Sequence, residues 1–200
     1  WIYDMKRIVV LGGCGYVGSL LVPQLLGLGY HVTVFDLMWF GDGFLPQDNG
    51  NLRVIRGDIR DVRALEEAFE SAHTVISLAC VSNDTSCQLD EALSTSINYD
   101  AFEPMVKAAK RMGVQRFIYC SSSSVYGISH EKDVREDHPL VPLTLYNKYK
   151  GLCEPLLLKH LGDDFEGVIL RPATVCGYAP RMRFDLTVNI ITMHAILKGL

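Results

Sequence analysis

The stretch LGGCGYVGS at residues 11–19 narrows the folds open to this chain more than any other segment. It follows a short apolar run, RIVVL (7–11), and opens a helical pattern from Gly15 to Leu28. Its glycines are spaced Gly12-x-x-Gly15-x-x-Gly18. Such a turn has a definite physical use. One glycine permits the tight turn, one lets backbone approach a pyrophosphate, and one lets the helix pack on the strand. The helix N-terminus adds N–H groups and the positive end of its dipole for the phosphates. A strand–turn–helix unit that holds a dinucleotide is the expectation.

The remaining pattern agrees with that unit. Apolar runs HVTVF (31–35), LRVIR (52–56), TVISLA (74–79), RFIYC (116–120) and GVILR (167–171) read as five further strands. Between them, helical patterns run over 62–69, 89–112 and 144–161, and a last one over 186–200. Pro104 must kink the second of these or mark a boundary, and Pro155 interrupts the third. Continuous rather than alternating apolar strands imply a sheet covered on both faces. Strand–helix alternation then predicts an α/β, doubly wound parallel sheet with helices on both faces, joined by right-handed crossovers. The loop FGDGFLPQDNGN (40–51) is polar and glycine-rich, a surface excursion.

Composition excludes several classes. The 200 residues suffice for one sizeable domain. Net charge is −4 with no basic run, which argues against nucleic acid as a partner. No apolar stretch is long enough to span a bilayer, so no membrane partner is expected. The start, WIYDMKRIVVLGG, lacks a secretory-signal layout, and Trp1–Asp4 reads as a short extension outside the fold. Cys14, Cys80, Cys87, Cys120, Cys153 and Cys176 are scattered without a CxxC pair, and the six histidines show no HExxH spacing. Reduced thiols in a cytoplasmic protein without a metal site are expected.

Two acidic residues sit where a dinucleotide's adenosine would lie. Asp36 ends the second strand, 18 residues past Gly18, and can accept from both ribose hydroxyls while repelling a 2′-phosphate. That favours NAD over NADP. Asp58, after the third strand in RGDIRD (56–61), either meets the adenine edge or caps the helix starting near Val62.

The fifth strand runs into SSSS (121–124) and then VYG (125–127), at the sheet edge where parallel sheets bind ligands. Downstream lies LTLYNKYK (143–150). On a helix only i, i+3 and i+4 neighbours meet, and Tyr146 with Lys150 is the only tyrosine–lysine pair here so spaced. An ammonium beside a phenol favours the phenolate, which a proton acceptor working near neutral pH needs.

The glycine turn, the acid after strand two, the serines after strand five and YNKYK occur in that order. So ordered, the sequence resembles the extended branch of the short-chain dehydrogenase/reductase superfamily, the NAD-dependent nucleotide-sugar epimerase/dehydratase family, from about Lys6 to Leu200. SLACVSND (77–84), INYDAF (97–102), GVQRFIYCSSSSVYG (113–127) and LRPATVCG (170–177) carry the likeness further. The resemblance implies a Rossmann-type domain over 1–200, with 185–200 starting a C-terminal substrate lobe that is otherwise largely absent. It implies NAD as cofactor and a nucleotide sugar as substrate. It also implies a homodimer through a four-helix bundle built from the 89–112 and 144–161 helices of two copies.

By the same resemblance, Ser122, Tyr146 and Lys150 are the catalytic residues. Tyr146 would take the proton of a sugar hydroxyl as hydride leaves its carbon. Lys150 would hold the nicotinamide ribose and lower the tyrosine pKa, and Ser122 would hydrogen-bond the same oxygen. Gly12, Gly15, Tyr16, Val17, Gly18, Asp36, Asp58, Ile59, Leu78, Ala79, Cys80, Asn98, Cys120, Ser121, Pro172 and Thr174 would line the cofactor with Tyr146 and Lys150. Ser82, Ser122, Ser123, Thr174 and Asn189 would meet the substrate, and Arg171 lies where strand six reaches both. Leu11 and Cys176 depart from the family's frequent threonine and tyrosine. Acidic residues that serve dehydration in relatives are replaced by Ser123 and Ser124. Reversible oxidation to a 4-keto sugar, hence epimerisation, is the leading expectation. A dehydrogenase, reductase or dehydratase of the same family, or a catalytically impaired NAD-binding scaffold, is the alternative.

Overall fold

A computed structural model of the protein describes residues 6–199. The Trp1–Asp4 extension expected from the sequence lies outside the described residues. The apolar runs form strands β1 (Arg7–Leu11), β2 (His31–Asp36), β3 (Leu52–Arg56), β4 (Thr74–Ser77), β5 (Arg116–Cys120) and β6 (Glu166–Leu170). They make one sheet in the order β3-β2-β1-β4-β5-β6, with every neighbouring pair parallel. Strand order reverses between β1 and β4, the switch point where open parallel sheets bind their ligands.

Alternate residues of each strand feed two apolar layers. Ile8, Val10, Val32 and Val34 pack with Val22 and Leu26 of helix α1 (Gly18–Gly27) and with Leu45 of the loop after β2. Val9, Leu11, Val75, Phe117 and Tyr119 face the other way. There they meet α2 (Val62–Phe69) through Leu65 and Phe69. Two further helices close that layer: α5 (Phe102–Arg111) through Phe102 and Met105, and α6 (Leu145–Leu158) through Cys153 and Leu157. The doubly wound sheet expected from the continuous apolar strands is the one found.

The expected 89–112 helix is instead four pieces. α3 (Asp84–Leu89) is capped by Asn83, whose Oδ1 accepts from the Ser86 N–H, and α4 (Glu91–Thr95) by Asp90, whose carboxylate accepts from the Leu93 N–H. A π-helical turn over Ser96–Asp100 then leads into α5. Asp90 breaks the helix because its side chain offers the backbone a cap in place of the next turn. Pro104 marks a boundary, as one expectation had it. It occupies the first turn of α5, where a missing N–H removes no intrahelical bond.

Pro155 does not interrupt α6, which runs on to Leu158. It stands on the solvent side, where helix carbonyls tilt toward water and the one lost bond costs least. The final helix α7 spans Thr187–Lys198. β4 ends at Ser77 rather than Ala79 because Leu78–Cys80 peel off to lie behind the glycine turn. The last ladder bond there runs from the Leu78 N–H to the Leu11 carbonyl at 2.9 Å.

Candidate active site

The glycine turn is dictated by close backbone approach. Gly12 has φ +81°, and a β-carbon there would stand 2.7 Å from the Ala79 nitrogen. A β-carbon on Gly18 would overlap the Gly13 carbonyl, and one on Gly13 would press on the Val34 side chain at 2.8 Å. Gly15 differs: a β-carbon would meet only the Gly12 carbonyl oxygen, at 3.2 Å, and would otherwise fill open space above the turn. That open space is what a pyrophosphate needs. The steric role of Gly13 escaped the motif spacing, although GGCG advertised an extra glycine.

Asp36 ends β2 beside this turn. Its carboxylate accepts from the Cys14 N–H at 3.0 Å and the Met38 N–H at 2.7 Å, one on each oxygen, so each keeps lone-pair capacity for a ribose hydroxyl. Asp58 is not the cap of α2. Asp61 is, accepting from the Arg63 and Ala64 N–H groups. Asp58 is held by the Arg60 guanidinium, which keeps its carboxyl below the usual range. Ile59, expected to line the cofactor, points its side chain into the core. Tyr16 also turns its side chain inward, donating to the Gly177 carbonyl at 2.5 Å, while Val17 is exposed.

At the switch point Leu78, Ala79 and Cys80 flank Gly12. Asn98, on the π-helical turn, fixes the next residue from both sides: its Oδ1 accepts from the Val81 N–H at 2.8 Å and its Nδ2 donates to the Val81 carbonyl at 3.0 Å. It acts by placing the loop after β4.

The expected catalytic residues form one cluster. Lys150 is buried and donates to the Cys120 carbonyl at 2.6 Å, with its ammonium 5.7 Å from the Tyr146 ring centre and 5.0 Å from that of Tyr119. Ser122 lies two residues beyond Cys120. Its hydroxyl meets Ser124 Oγ at 2.6 Å, and Ser124 donates to Asn147 Oδ1 at 2.6 Å. Ser122 is thereby tied to the residue next to Tyr146. Ser124 and Asn147 were not foreseen as this link.

The other tyrosine and lysine of the stretch are elsewhere. Tyr149 is buried against Thr95, 2.5 Å from its hydroxyl, and stacks on Tyr99, while Lys148 is exposed.

The electrostatics add a cation to the expected pair. Burial pushes the Tyr146 phenol well above the ordinary tyrosine range, and the Cys80 and Cys120 thiols push the same way. The cation that opposes them most is Arg183. Phenolate formation therefore needs added positive charge in the crevice, such as a bound nicotinamidium would bring. Arg183 had no local signal. It arrives from the segment after β6, donating to Ser82 at 2.9 Å and pairing with Asp185.

Ser121 is not aimed at the crevice. Its hydroxyl donates to Glu154 at 2.6 Å, and Glu154, 3% exposed, takes a two-armed contact from Arg171 at 3.0 and 2.6 Å. Arg171 also donates to the Tyr126 hydroxyl and the Glu136 carbonyl. Glu154 was missed, although Tyr146, Lys150 and Glu154 fall at i, i+4 and i+8 on one helix. Asn189 is buried and its amide is engaged within the chain by Gly177, Tyr16 and Arg183 instead of facing a substrate. Ser123 donates its N–H to the Pro172 carbonyl, and Thr174 is exposed beyond it.

The structure thus sets a glycine turn of the dinucleotide-binding type at the switch point, with a serine after β5 and a tyrosine and lysine in the first half of α6. The chain belongs to the NAD dependent epimerase/dehydratase family, whose model matches residues 8–199. It is 35% identical over 179 residues to human "Sterol-4-alpha-carboxylate 3-dehydrogenase, decarboxylating", covering 86% of this chain and 45% of that one. It is 29% identical over 178 residues to the UDP-glucose 4-epimerase of Lacticaseibacillus casei, covering 86% and 53%. The solved structure of MoeE5 in complex with UDP-glucose and NAD superposes with a TM-score of 0.81 at 30% identity, over 97% of this chain and 62% of that one. The chain thus spans about half the length of these curated relatives. Among the described residues, no helix is long and apolar enough to cross a membrane.

Proposed function

We propose that the chain binds NAD across the switch point and acts as a nucleotide-sugar 4-epimerase. The observation that carries this is the Ser122–Tyr146–Lys150 cluster beside the open face of the glycine turn. Serines rather than carboxylates stand at 123 and 124, which favours epimerisation over dehydration. NAD supplies a reversible hydride acceptor. Tyr146 takes the proton of the sugar hydroxyl as the C4–H bond breaks, which leaves a ketone at C4. Ser122 holds that oxygen, and Lys150 orients the nicotinamide ribose and balances the phenolate. Once the ketone has presented its other face, Tyr146 would give the proton back to the C4 oxygen, bound NAD being the group that would restore the hydride. The human sterol relative supports a second reading, oxidation of a secondary alcohol with release of a ketone, because the same three residues serve any such alcohol.

The deciding experiment incubates NAD-loaded protein with UDP-, GDP-, CDP- and dTDP-sugars and, separately, with 3-hydroxysterols, under NMR and 340 nm absorbance. A new sugar signal without net NADH supports epimerisation. Stoichiometric NADH points to the dehydrogenase, and retained NAD with no turnover points to a scaffold. Asp36 offers a separate check on the cofactor. Asp36→Ala is expected to weaken NAD about tenfold or more by calorimetry, since hydrogen bonds to a charged group contribute about 1.5–3 kcal/mol each. Unchanged affinity would remove the ribose assignment.

A homodimer is part of the proposal. Leu89 of α3 and Leu152 and Leu158 of α6 are exposed, which suits packing against a second copy. Sedimentation of only monomer at micromolar concentration would count against it. All six cysteines are free, in keeping with a reducing, cytoplasmic setting.

A further inference from the structure

Residues 177–189 leave the end of β6 and return across the first turn of α1, and three groups of contacts fasten them there. Tyr16, inside the glycine turn, donates to the Gly177 carbonyl at 2.5 Å. Asn189, 6% exposed, accepts from the Gly177 N–H at 2.9 Å and donates to the Tyr16 hydroxyl oxygen at 3.0 Å and the Arg183 carbonyl at 2.9 Å. Arg181 donates its N–H to Ser19 at 3.2 Å and lays its guanidinium over the Phe40 ring at 3.7 Å, in the loop that follows Asp36.

The Asn189 amide uses both of its hydrogens and accepts one bond on its oxygen. Flipping it would set its NH2 group against the Gly177 N–H and its oxygen against the Arg183 carbonyl. One buried side chain thus joins the glycine turn to the segment that carries Arg183, whose guanidinium donates to Ser82 in the loop after β4 at 2.9 Å.

We infer that Asn189, acting through Tyr16, is a positioning residue that couples retention of the dinucleotide to the seating of the Arg183 segment against the loop after β4. The inference rests on the NAD binding proposed above. Loosening either end of this strap loosens the other, because the same amide fastens both. An enzyme that returns hydride to its own ketone has use for such a link, since the cofactor must stay while the substrate turns.

The test compares the unmodified chain with Tyr16→Phe, which keeps the ring and removes both bonds to the hydroxyl, and with Asn189→Ala. Each protein is loaded with NADH and chased with excess NAD, and NADH release is followed by fluorescence. Release is expected to accelerate about tenfold in Tyr16→Phe, the change that 1.4 kcal/mol brings, in line with one or two net hydrogen bonds. Trypsin reads the other end, since Arg181 and Arg183 are cleavage sites on the strap. NADH should slow cleavage there in the unmodified chain, and this protection should fall in Tyr16→Phe. Unchanged release, or faster release with unchanged protection, would overturn the coupling even if Asn189→Ala failed to fold. Failure of the unmodified chain to bind NADH would instead remove the dinucleotide reading beneath it.

Discussion

In a Tyr146→Phe variant, the proposed oxidation of a sugar hydroxyl is expected to fall by about 10³-fold, within the ~10²–10⁴ that a positioned proton acceptor supplies. NAD affinity should stay within about twofold, because Gly12, Gly18 and Asp36 are untouched. Single-turnover absorbance at 340 nm reads the first quantity and calorimetry the second. The pH dependence has a definite sign. The active form is the phenolate, so the rate rises with pH through the phenol's pKa. Burial holds that pKa high and added cations lower it. Arg183→Met should therefore move the rising limb to higher pH. Tyr149→Phe is the internal control: it loses one hydrogen bond to Thr95, a stability cost of about 1 kcal/mol, and leaves the rate nearly unchanged. Full activity in Tyr146→Phe would end the assignment.

The second large effect is on stability. Glu154→Ala removes the partner of Arg171 and of the Ser121 hydroxyl together. Breaking a buried ion pair from one side costs about 3–5 kcal/mol. The Arg171 side chain keeps 17% exposure and two further acceptors, so the lower end, about 3 kcal/mol, is expected. For a chain of this size that lowers the melting temperature by roughly 6–12 °C. Thermal unfolding by circular dichroism measures it. Glu154→Met combined with Arg171→Met should recover much of the loss, since the unpaired charge goes with its partner. A shift of less than about 2 °C in Glu154→Ala would show the pair to be energetically idle.

Much of this was legible in the sequence, for reasons that differ by residue. The six strands stood out because buried parallel strands are continuous apolar runs. Gly12, Asp36, Tyr146 and Lys150 stood out because their roles are local, set by a turn, a strand end or one helical repeat. Glu154 was readable in principle from i+8 spacing. Its meaning depended on Arg171, 17 residues on, and no local pattern announces that pair. Spacing alone did not separate Ser121 from Ser122 in a run of four serines, where the resemblance did, and neither foretold that Ser121 bonds Glu154. Tyr16 and Asn189 were drawn toward ligands by motif, whereas their side chains bond each other across 173 residues. Asp90 and the π-helical turn broke a helix whose apolar periodicity looked continuous, because a side-chain cap outcompetes the next turn without disturbing that periodicity.

The Glu154–Arg171 pair also bears on the order in which a growing chain takes shape. β1, β2, β3 and β4 are all in hand by Ser77, so the dinucleotide half of the sheet can assemble while the remainder is still being synthesised. The helix that bears Tyr146 and Lys150 is complete by Leu158, yet its buried carboxylate has no guanidinium until Arg171 emerges. Docking that helix earlier would sequester a lone charge. The pair thus makes the docking of the helix that bears Tyr146 and Lys150 depend on the chain just past β6, some 17 residues further along.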